Sequence, residues 1–220
     1  MRIKIIPVLL FLNTLLYATM GYYNIHFFVD FFSVLTIPII AWFYLSESTG
    51  KKLCYPYIIS LCFLFVGDLF ISLTDNMTFS LFFLGAGLTG YANTVLSKIN
   101  FLKTSIIIKI SIPFLLVYLV PSLYFASYFN EMLFPITMHN FGLGIFVFTI
   151  LLKLLHEKKI RPNMYLVLSG TFMFLVAIFD AYVLFISHND FIHSYISIPS
   201  FSIAHYCMSK FILKVYAKPK

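Results

Sequence analysis

The segment LFVGDLFISLTD (Leu64–Asp75) decides the fold class, because it closes an apolar run that begins at Cys54 and is long enough to cross a bilayer. Asp68 interrupts this run, and no other charged residue lies within six positions of it. Similar apolar runs fill most of the 220 residues, of which 61% are hydrophobic, 20% aromatic and only 10% charged. This composition excludes an ordinary water-soluble domain and predicts a polytopic integral membrane protein.

The apolar runs predict an all-α chain of about eight transmembrane helices, packed as one bundle in a single domain over residues 1–220. The predicted spans are 4–20, 31–46, 54–74, 78–96, 105–127, 133–154, 163–187 and 196–216. Four prolines fall at predicted helix starts, where a missing N–H is tolerated: Pro56, Pro135, Pro162 and Pro199. Three fall inside spans, where a proline kinks a helix: Pro38, Pro113 and Pro121. We interpret the basic, then apolar, N-terminal stretch as an uncleaved first span rather than a secretory signal.

The basic residues predict the orientation of the bundle. All 15 Lys and Arg residues fall on one side, in the N-terminus, the segments 46–53, 97–104 and 155–162, the C-terminal tail or the adjoining helical turns. The opposite segments, 21–30, 75–77, 128–132 and 188–195, contain none. Positive charge marks the cytoplasmic side, so both termini are predicted to be cytoplasmic. This pattern explains the net charge of +7 without a nucleic-acid partner. A bacterial inner membrane is the simplest location, with the endoplasmic reticulum as the alternative.

Two carboxyls and two imidazoles are predicted at one depth, in the outer-facing third of the bilayer and on four helices: Asp68, Asp180, His139 and His205. No Lys or Arg reaches this layer, so each carboxyl must be protonated, hydrogen-bonded, paired with an imidazolium or hydrated. Burial favours the uncharged form of a carboxyl, and a carboxyl that keeps its proton can act as a general acid. The alternative is a structural role, in which the polar groups hydrogen-bond neighbouring helices.

Several other polar residues receive structural interpretations. We expect Asp30, which begins the predicted second span, and His26 to be solvated at the membrane surface. Asn93 and Ser97 are expected to hydrogen-bond between helices. The cysteines Cys54, Cys62 and Cys207 show no metal-site spacing and are interpreted as small buried hydrophobes.

Motifs of other enzyme classes are missing from the sequence, including G-x-S-x-G, HExxH and a glycine-rich phosphate loop. A metal held jointly by Asp68, Asp180, His139 and His205 is an alternative that the spacing does not favour. We therefore expect no metal and no cofactor.

Short motifs over most of the chain resemble the YhhN-type lysoplasmalogenase family, which also has eight spans. LTIPII (35–40) is similar to its Lys-Pro-Leu-Thr-x-Pro-Leu-Leu box, LFVGDLFI (64–71) to its Gly-Asp box and LVAIFDAYVLF (175–185) to its Phe-x-x-Ser-Asp box. LGAGLTGYANTVLSKINF (84–101) is similar to its Gly-rich span, and HYCMSKFIL (205–213) to its closing Tyr-Tyr-x-Ala-Gln-x-Leu-Ile box. Ser33, Asn93 and Ser209 stand where these motifs carry Lys, His and Gln.

The resemblance implies a membrane-embedded hydrolase that cleaves the vinyl ether bond of lysoplasmalogens, such as lysoplasmenylcholine or lysoplasmenylethanolamine, to a fatty aldehyde and a glycerophospho-base. One of Asp68 and Asp180 would be the general acid, and the other the electrostatic partner and base. Residues expected to bind substrate or support the two acids are His205, His139, Asn93, Thr36, Ser33 and Tyr206. The implied partners are a lysophospholipid substrate and membrane lipid. Two alternatives stay open: a non-catalytic lipid-binding protein, and a transporter for a small solute or protons.

Overall fold

The computed structural model describes residues 5–49, 52–74, 76–99, 104–129, 132–156, 160–187 and 189–216, and no β-strand occurs within these ranges. The helices are α1 (Ile5–Tyr22), α2 (His26–Glu47), α3 (Tyr55–Thr74), α4 (Met77–Leu96), α5 (Thr104–Phe129), α6 (Leu133–His156), α7 (Ile160–Phe185), α8 (Asp190–Ile192) and α9 (Ile198–Tyr216), with a π-helical turn, His193–Ser197, between the last two. The all-α prediction is confirmed. Among the described helices, α1 to α7 are long and apolar enough to cross a membrane.

Short links make successive helices antiparallel and give the bundle two distinct ends. The C-terminal ends of α1, α3 and α7 lie at one end of the bundle. We call it the lysine-free end because the sequence segments that follow these helices, 23–25, 75–76 and 186–189, carry no Lys or Arg. The opposite end, called the lysine-rich end, carries the described lysines Lys52, Lys98, Lys109, Lys153, Lys210 and Lys214. For these lysines, the segregation read from the sequence is also a segregation between the two ends of the folded bundle.

Six helices form a closed ring in the order α2, α3, α4, α6, α7 and α9, in which each helix packs against the next. Helix α1 packs outside the ring against α2, α9 and the π-helical turn, and α5 packs outside it against α6 and α7. The largest fully buried side chains lie toward the lysine-rich end, among them Tyr57, Tyr91, Phe146 and Phe211. Because these side chains fill that half of the ring, space inside the ring is left toward the lysine-free end.

One predicted helix start was wrong, and the error affects the site. Helix α2 begins at His26 rather than at residue 31, which places Asp30 in its second turn. Helix α9 begins at Ile198 with Pro199 as its second residue, as predicted, but the π-helical turn and α8 directly precede it, so the chain is already helical before the proline. A proline there lacks an N–H and crowds the carbonyl one turn earlier. The π-helical turn just before it, closed by a hydrogen bond from the Ile198 N–H to the His193 carbonyl, widens the helix and accommodates the ring.

The other predicted proline positions are confirmed. Pro56, Pro135 and Pro162 lie in the first turns of α3, α6 and α7. The remaining three lie inside helices: Pro38 in α2, and Pro113 and Pro121 in α5.

Helices α4 and α6 approach closely at Gly85 and Gly142, which face each other. A Cβ atom added at Gly142 would lie 2.4 Å from the carbonyl oxygen of Gly85, which is far inside van der Waals contact. The obstacle is backbone, so it cannot rotate away as a flexible side chain could. This contact fixes α4 and α6 beside the cavity described below.

We therefore expect Gly142→Ala to destabilise the folded bundle by about 1–3 kcal/mol, the usual cost of overpacking. The matched control is Gly144→Ala on the same helix, where an added Cβ would lie 3.0 Å from the mobile ring edge of Phe114. Thermal unfolding in detergent measures both variants. Equal melting temperatures for Gly142→Ala and the parent would show that α4 and α6 are not packed this closely.

Candidate active site

A cavity of about 470 Å³ lies inside the ring toward the lysine-free end. Its walls are mainly apolar and include Leu64, Leu84, Leu88, Met173 and Phe174. The volume lies within the range of about 300–1,000 Å³ that is typical of small-molecule sites. The polar side chains in the wall include Tyr17, Asp30, Ser33, Asp68, His139, Asn140, Asp180 and His193, and none of the described lining residues is Lys or Arg.

Asp68 is the most deeply buried carboxyl in the cavity wall, with a relative exposure of 6%. Helix α3 holds it close to α4, because Gly67 lets the two helices approach where a Cβ atom would lie 2.9 Å from Leu84. The Oδ2 atom of Asp68 has no hydrogen-bond partner among the residues that the structure describes. A buried charge without a partner is costly, so this position suits a neutral carboxyl that can donate a proton to a bound molecule.

Asp180 occupies a different environment from Asp68. Its Oδ1 atom accepts a hydrogen bond from Nδ1 of His193 at 3.2 Å, and both side chains are partly exposed. Helix α7 supplies Asp180, and the π-helical turn before α9 supplies His193. A carboxylate beside the cavity can stabilise positive charge or accept a proton.

The hydrogen bond to Asp180 raises the pKa of the His193 imidazole above its ordinary value of 6.5, and burial opposes this effect. The stability that the pair contributes is complete below pH 6.5, where the unfolded chain also carries a protonated imidazole, and is lost as the pH rises through the raised pKa. We expect NMR titration of labelled histidine in detergent to show this raised pKa. Asp180→Asn should lower it more than Asp190→Asn, since Asp190 contributes less. Equal decreases in the two variants would contradict the pairing.

Two more of the predicted site residues line the same cavity as the two aspartates, namely Ser33 on α2 and His139 on α6. Thr36 does not line the cavity; it is fully buried and accepts a hydrogen bond from Asn13 Nδ2 at 3.0 Å, which links α1 to α2. His205 is also fully buried, on the closed side of the cavity, where its Nδ1 atom lies 2.8 Å from the Tyr91 hydroxyl.

The remaining two predicted site residues lie away from the cavity. Asn93 is exposed on the outer surface of α4, because it is two residues from the inward-facing Tyr91 and so points to another face of the helix. The prediction that Asn93 hydrogen-bonds to a neighbouring helix is therefore wrong. Tyr206 packs against Phe43 in the lysine-rich half, with ring centroids 5.1 Å apart. Ser97 does bond to a neighbouring helix, through the Tyr216 hydroxyl, as expected.

Sequence reasoning misjudged Asp30 and missed several polar residues of the cavity wall, among them Tyr17, His193 and Asn140. Asp30 is partly buried in the wall rather than solvated at a surface. Tyr17 on α1 lies beside Ser33, and its spacing of four residues from Asn13 is the signal that could have identified it as inward-facing. His193 and Asn140 also line the cavity. The short link after α7 could have indicated that His193 returns beside Asp180.

The described residues contain no group of three or more His, Cys, Asp or Glu side chains placed to hold a metal ion. The four residues considered as joint metal ligands are divided between the cavity wall, for Asp68, Asp180 and His139, and the packed interior, for His205. The arrangement can perform proton transfer and electrostatic stabilisation with carboxyl and imidazole groups alone.

No protein-family model, curated protein or solved structure matches this chain.

Proposed function

We propose that this chain is an integral membrane hydrolase that cleaves the vinyl ether bond of a lysoplasmalogen, the activity of the YhhN-type family that its motifs resemble. The single observation that carries the proposal is the buried carboxyl of Asp68, which lines a largely apolar cavity and whose Oδ2 atom has no hydrogen-bond partner in the described part of the chain. Vinyl ether hydrolysis needs a proton donor that keeps its proton until the substrate binds and is held against the vinyl carbon, because protonation of carbon is slow.

The proposed setting is a membrane crossed by the helical ring, with the lysine-rich end and both chain termini in the cytoplasm. The cavity then lies in the outer-leaflet half of the bilayer, in a bacterial inner membrane or a membrane of equivalent topology. The apolar wall around Leu84 and Phe174 suits the hydrocarbon chain of a lysophospholipid. The carboxylates near the lysine-free end suit the polar part of the lipid, which stays close to water.

In the proposed reaction, Asp68 transfers its proton to the vinyl carbon remote from the ether oxygen, and the π electrons form the new C–H bond. The ether oxygen shares a lone pair with the adjacent carbon, which gives an oxocarbenium ion stabilised by the Asp180 carboxylate. Water adds to that carbon and returns a proton to the carboxylate of Asp68. The hemiacetal then breaks its bond to the glycerol oxygen, the hydroxyl proton moves to that oxygen, and aldehyde and alcohol leave. One water is consumed, and no net proton is taken up or released.

The packed lysine-rich half supports an enzyme over a solute transporter. Transport of a solute needs a path that opens to both faces in turn. Here, bulky side chains such as Tyr57, Tyr91 and Phe211 are fully buried between the cavity and the lysine-rich end. A pocket closed on the cytoplasmic side is what hydrolysis of an outer-leaflet lipid requires.

The test uses the full chain purified in detergent and compares two substrates of equal chain length, lysoplasmenylcholine and ester-linked lysophosphatidylcholine. We expect fatty aldehyde from the vinyl ether substrate and no fatty acid from the ester. If a folded, monodisperse preparation binds the vinyl ether lipid without releasing aldehyde, the chain is a lipid-binding protein and the hydrolase proposal is rejected. Release of fatty acid from the ester substrate would show that the protein cleaves an ester bond, which contradicts the proposed specificity for the vinyl ether bond.

A further inference from the structure

The carboxyl groups of the cavity wall come from three different helices: Asp30 from α2, Asp68 from α3 and Asp180 from α7. The Tyr17 hydroxyl, which also belongs to the wall, lies within electrostatic range of all three. None of the lining residues in the described ranges is Lys or Arg. The basic groups of the wall are imidazoles, and one of them, His193, is paired with Asp180. The wall therefore gathers carboxyl groups around one space with no lysine or arginine from the described ranges beside them.

The described lysines with assigned contacts are engaged at the opposite end of the bundle. The Lys98 ammonium lies over the Tyr216 ring, 3.9 Å from its centroid. Lys153 Nζ donates a hydrogen bond to the Lys98 carbonyl at 3.0 Å. The Lys214 ammonium lies 4.3 Å from the centroid of the Tyr165 ring. Because these ammonium groups are held away from the cavity, a cation that pairs with the carboxyl groups of the wall is best supplied by a bound molecule.

Asp68 is the carboxyl with the clearest need for such a partner. Only 6% of its surface is exposed, it lines the cavity, and its Oδ2 atom has no hydrogen-bond partner in the described ranges. A buried carboxyl oxygen without a donor costs free energy, and a hydrogen bond from a charged donor is among the strongest. An ammonium group that carries N–H donors would satisfy Oδ2. A quaternary ammonium would not, because it has no N–H.

The wall around Asp68 is otherwise mainly hydrocarbon. Leu84 packs against Gly67, the residue before Asp68, and Leu64 lies one helical turn earlier on the same helix. Both leucines line the cavity, as does Phe174. A negatively charged head group at this position would meet carboxyl groups and no described Lys or Arg. The ligand that fits both parts of the wall has a compact cationic group and one hydrocarbon chain.

We propose that the cavity binds a single-chain primary amine in its protonated form, with the ammonium on Asp68 and the alkyl chain against Leu84 and Phe174. An ammonium N–H donates to Asp68 Oδ2. The Asp68 carboxyl releases its proton to solvent as the ammonium enters, so the complex contains one ion pair and the cavity gains no net charge. The inference goes beyond the proposed hydrolysis, because an amine without a vinyl ether bond is bound and not cleaved.

A bound amine would also compete with the lysoplasmalogen for the cavity. Its ammonium places a positive charge beside Asp68, where the reaction assigned to this site forms an oxocarbenium ion. We therefore expect dodecylamine to inhibit aldehyde release competitively. This consequence rests on the proposed function, whereas the binding of the amine does not.

The experiment measures ligand binding to the full chain by isothermal titration calorimetry, in one detergent at one concentration and at neutral pH, where a primary alkylamine is protonated. Dodecylamine is compared with three ligands of the same chain length. Dodecanol has no charge, dodecanoate has the opposite charge, and dodecyltrimethylammonium has the charge without an N–H. We expect dodecylamine to bind most tightly and dodecanoate most weakly.

Asp68→Asn should weaken the binding of dodecylamine at least about tenfold, because the ammonium loses a charged hydrogen-bond acceptor. The same variant should weaken dodecanol much less. Each ligand is compared between variants in the same detergent, so its partition into micelles cancels. Asp190→Asn is the control of equal charge change, since Asp190 is exposed and outside the cavity wall, and it should bind dodecylamine as the parent does.

Equal weakening of dodecylamine and dodecanol by Asp68→Asn would overturn the proposal, as would dodecanoate binding to the parent as tightly as dodecylamine. Melting temperatures show whether Asp68→Asn folds, and the comparison of ligands on the parent decides the question if it does not. Ester-linked lysophosphatidylethanolamine carries its ammonium on a phosphate head group. Binding of this lipid without binding of dodecylamine would assign the site to a lipid head group and overturn the proposal.

Aldehyde release from lysoplasmenylcholine is assayed in the same preparations. Amine binding without aldehyde release would reject only the hydrolase. Aldehyde release without amine binding would reject only the amine site.

Discussion

Asp68→Asn should reduce aldehyde release by about 10²–10⁴-fold, the range that general acid catalysis contributes. The amide has nearly the shape of the carboxyl but cannot give a proton to carbon. The fold should survive, because the replaced group is uncharged in the proposed resting state and its Oδ2 atom has no hydrogen bond to lose among the residues with described positions. Initial rates with lysoplasmenylcholine and melting temperatures in detergent measure the two properties.

Asp190→Asn is the matched control for this substitution. Asp190 lies at the same end of the bundle, is exposed, and accepts a hydrogen bond from Asn24 at 3.2 Å outside the cavity wall. We expect this variant to retain nearly the parent rate. If Asp68→Asn kept the parent rate in a folded protein, Asp68 could not be the proton donor.

Asp180→Asn should reduce aldehyde release by about 10²–10³-fold, the usual effect of deleting one group that stabilises transition-state charge. The variant retains the size of the side chain but removes the negative charge beside the oxocarbenium ion. The comparison variant is His193→Gln, which removes the imidazole and leaves the carboxylate in place. Rates at saturating and low substrate concentrations separate an effect on the chemical step from an effect on binding.

The expected order of activities is parent, then His193→Gln, then Asp180→Asn. A larger loss in His193→Gln than in Asp180→Asn would assign the charge stabilisation to the imidazole, which contradicts the role given to Asp180.

The helical fold and the segregation of basic residues could be predicted from the sequence because both depend on composition along the chain. Span length and the positions of Lys and Arg need no knowledge of which face of a helix is buried. The same reasoning indicated that Asp68, Asp180 and His139 lie at one depth, and the structure places all three in one cavity wall.

The rotation of each helix could not be predicted in the same way. In a helix that is apolar on every side, no polar stripe marks the face that turns inward. Asn93 was therefore assigned to the interior, although it is exposed, and Tyr17 was overlooked, although it lines the cavity. His205 has the expected approximate depth but lies behind Phe201 rather than in the wall.

The remaining residues of the site could not be predicted because the helices that carry them are locally irregular. Pro199 lies at the start of α9 as predicted, but the sequence did not indicate the π-helical turn before it, which places His193 against Asp180. The early start of α2 similarly moves Asp30 from a surface position into the cavity wall. Both changes depend on how the helix ends pack against each other, which periodicity does not report.

The most direct test of the central claim is to run the reaction in D₂O and analyse the aldehyde by mass spectrometry. If Asp68 delivers a solvent-derived proton to the vinyl carbon, the aldehyde should carry one deuterium on the carbon next to the carbonyl, and Asp68→Asn should form almost none of this product. An aldehyde without deuterium at that carbon would show that the bond is broken without protonation of carbon, and would contradict the mechanism assigned to Asp68.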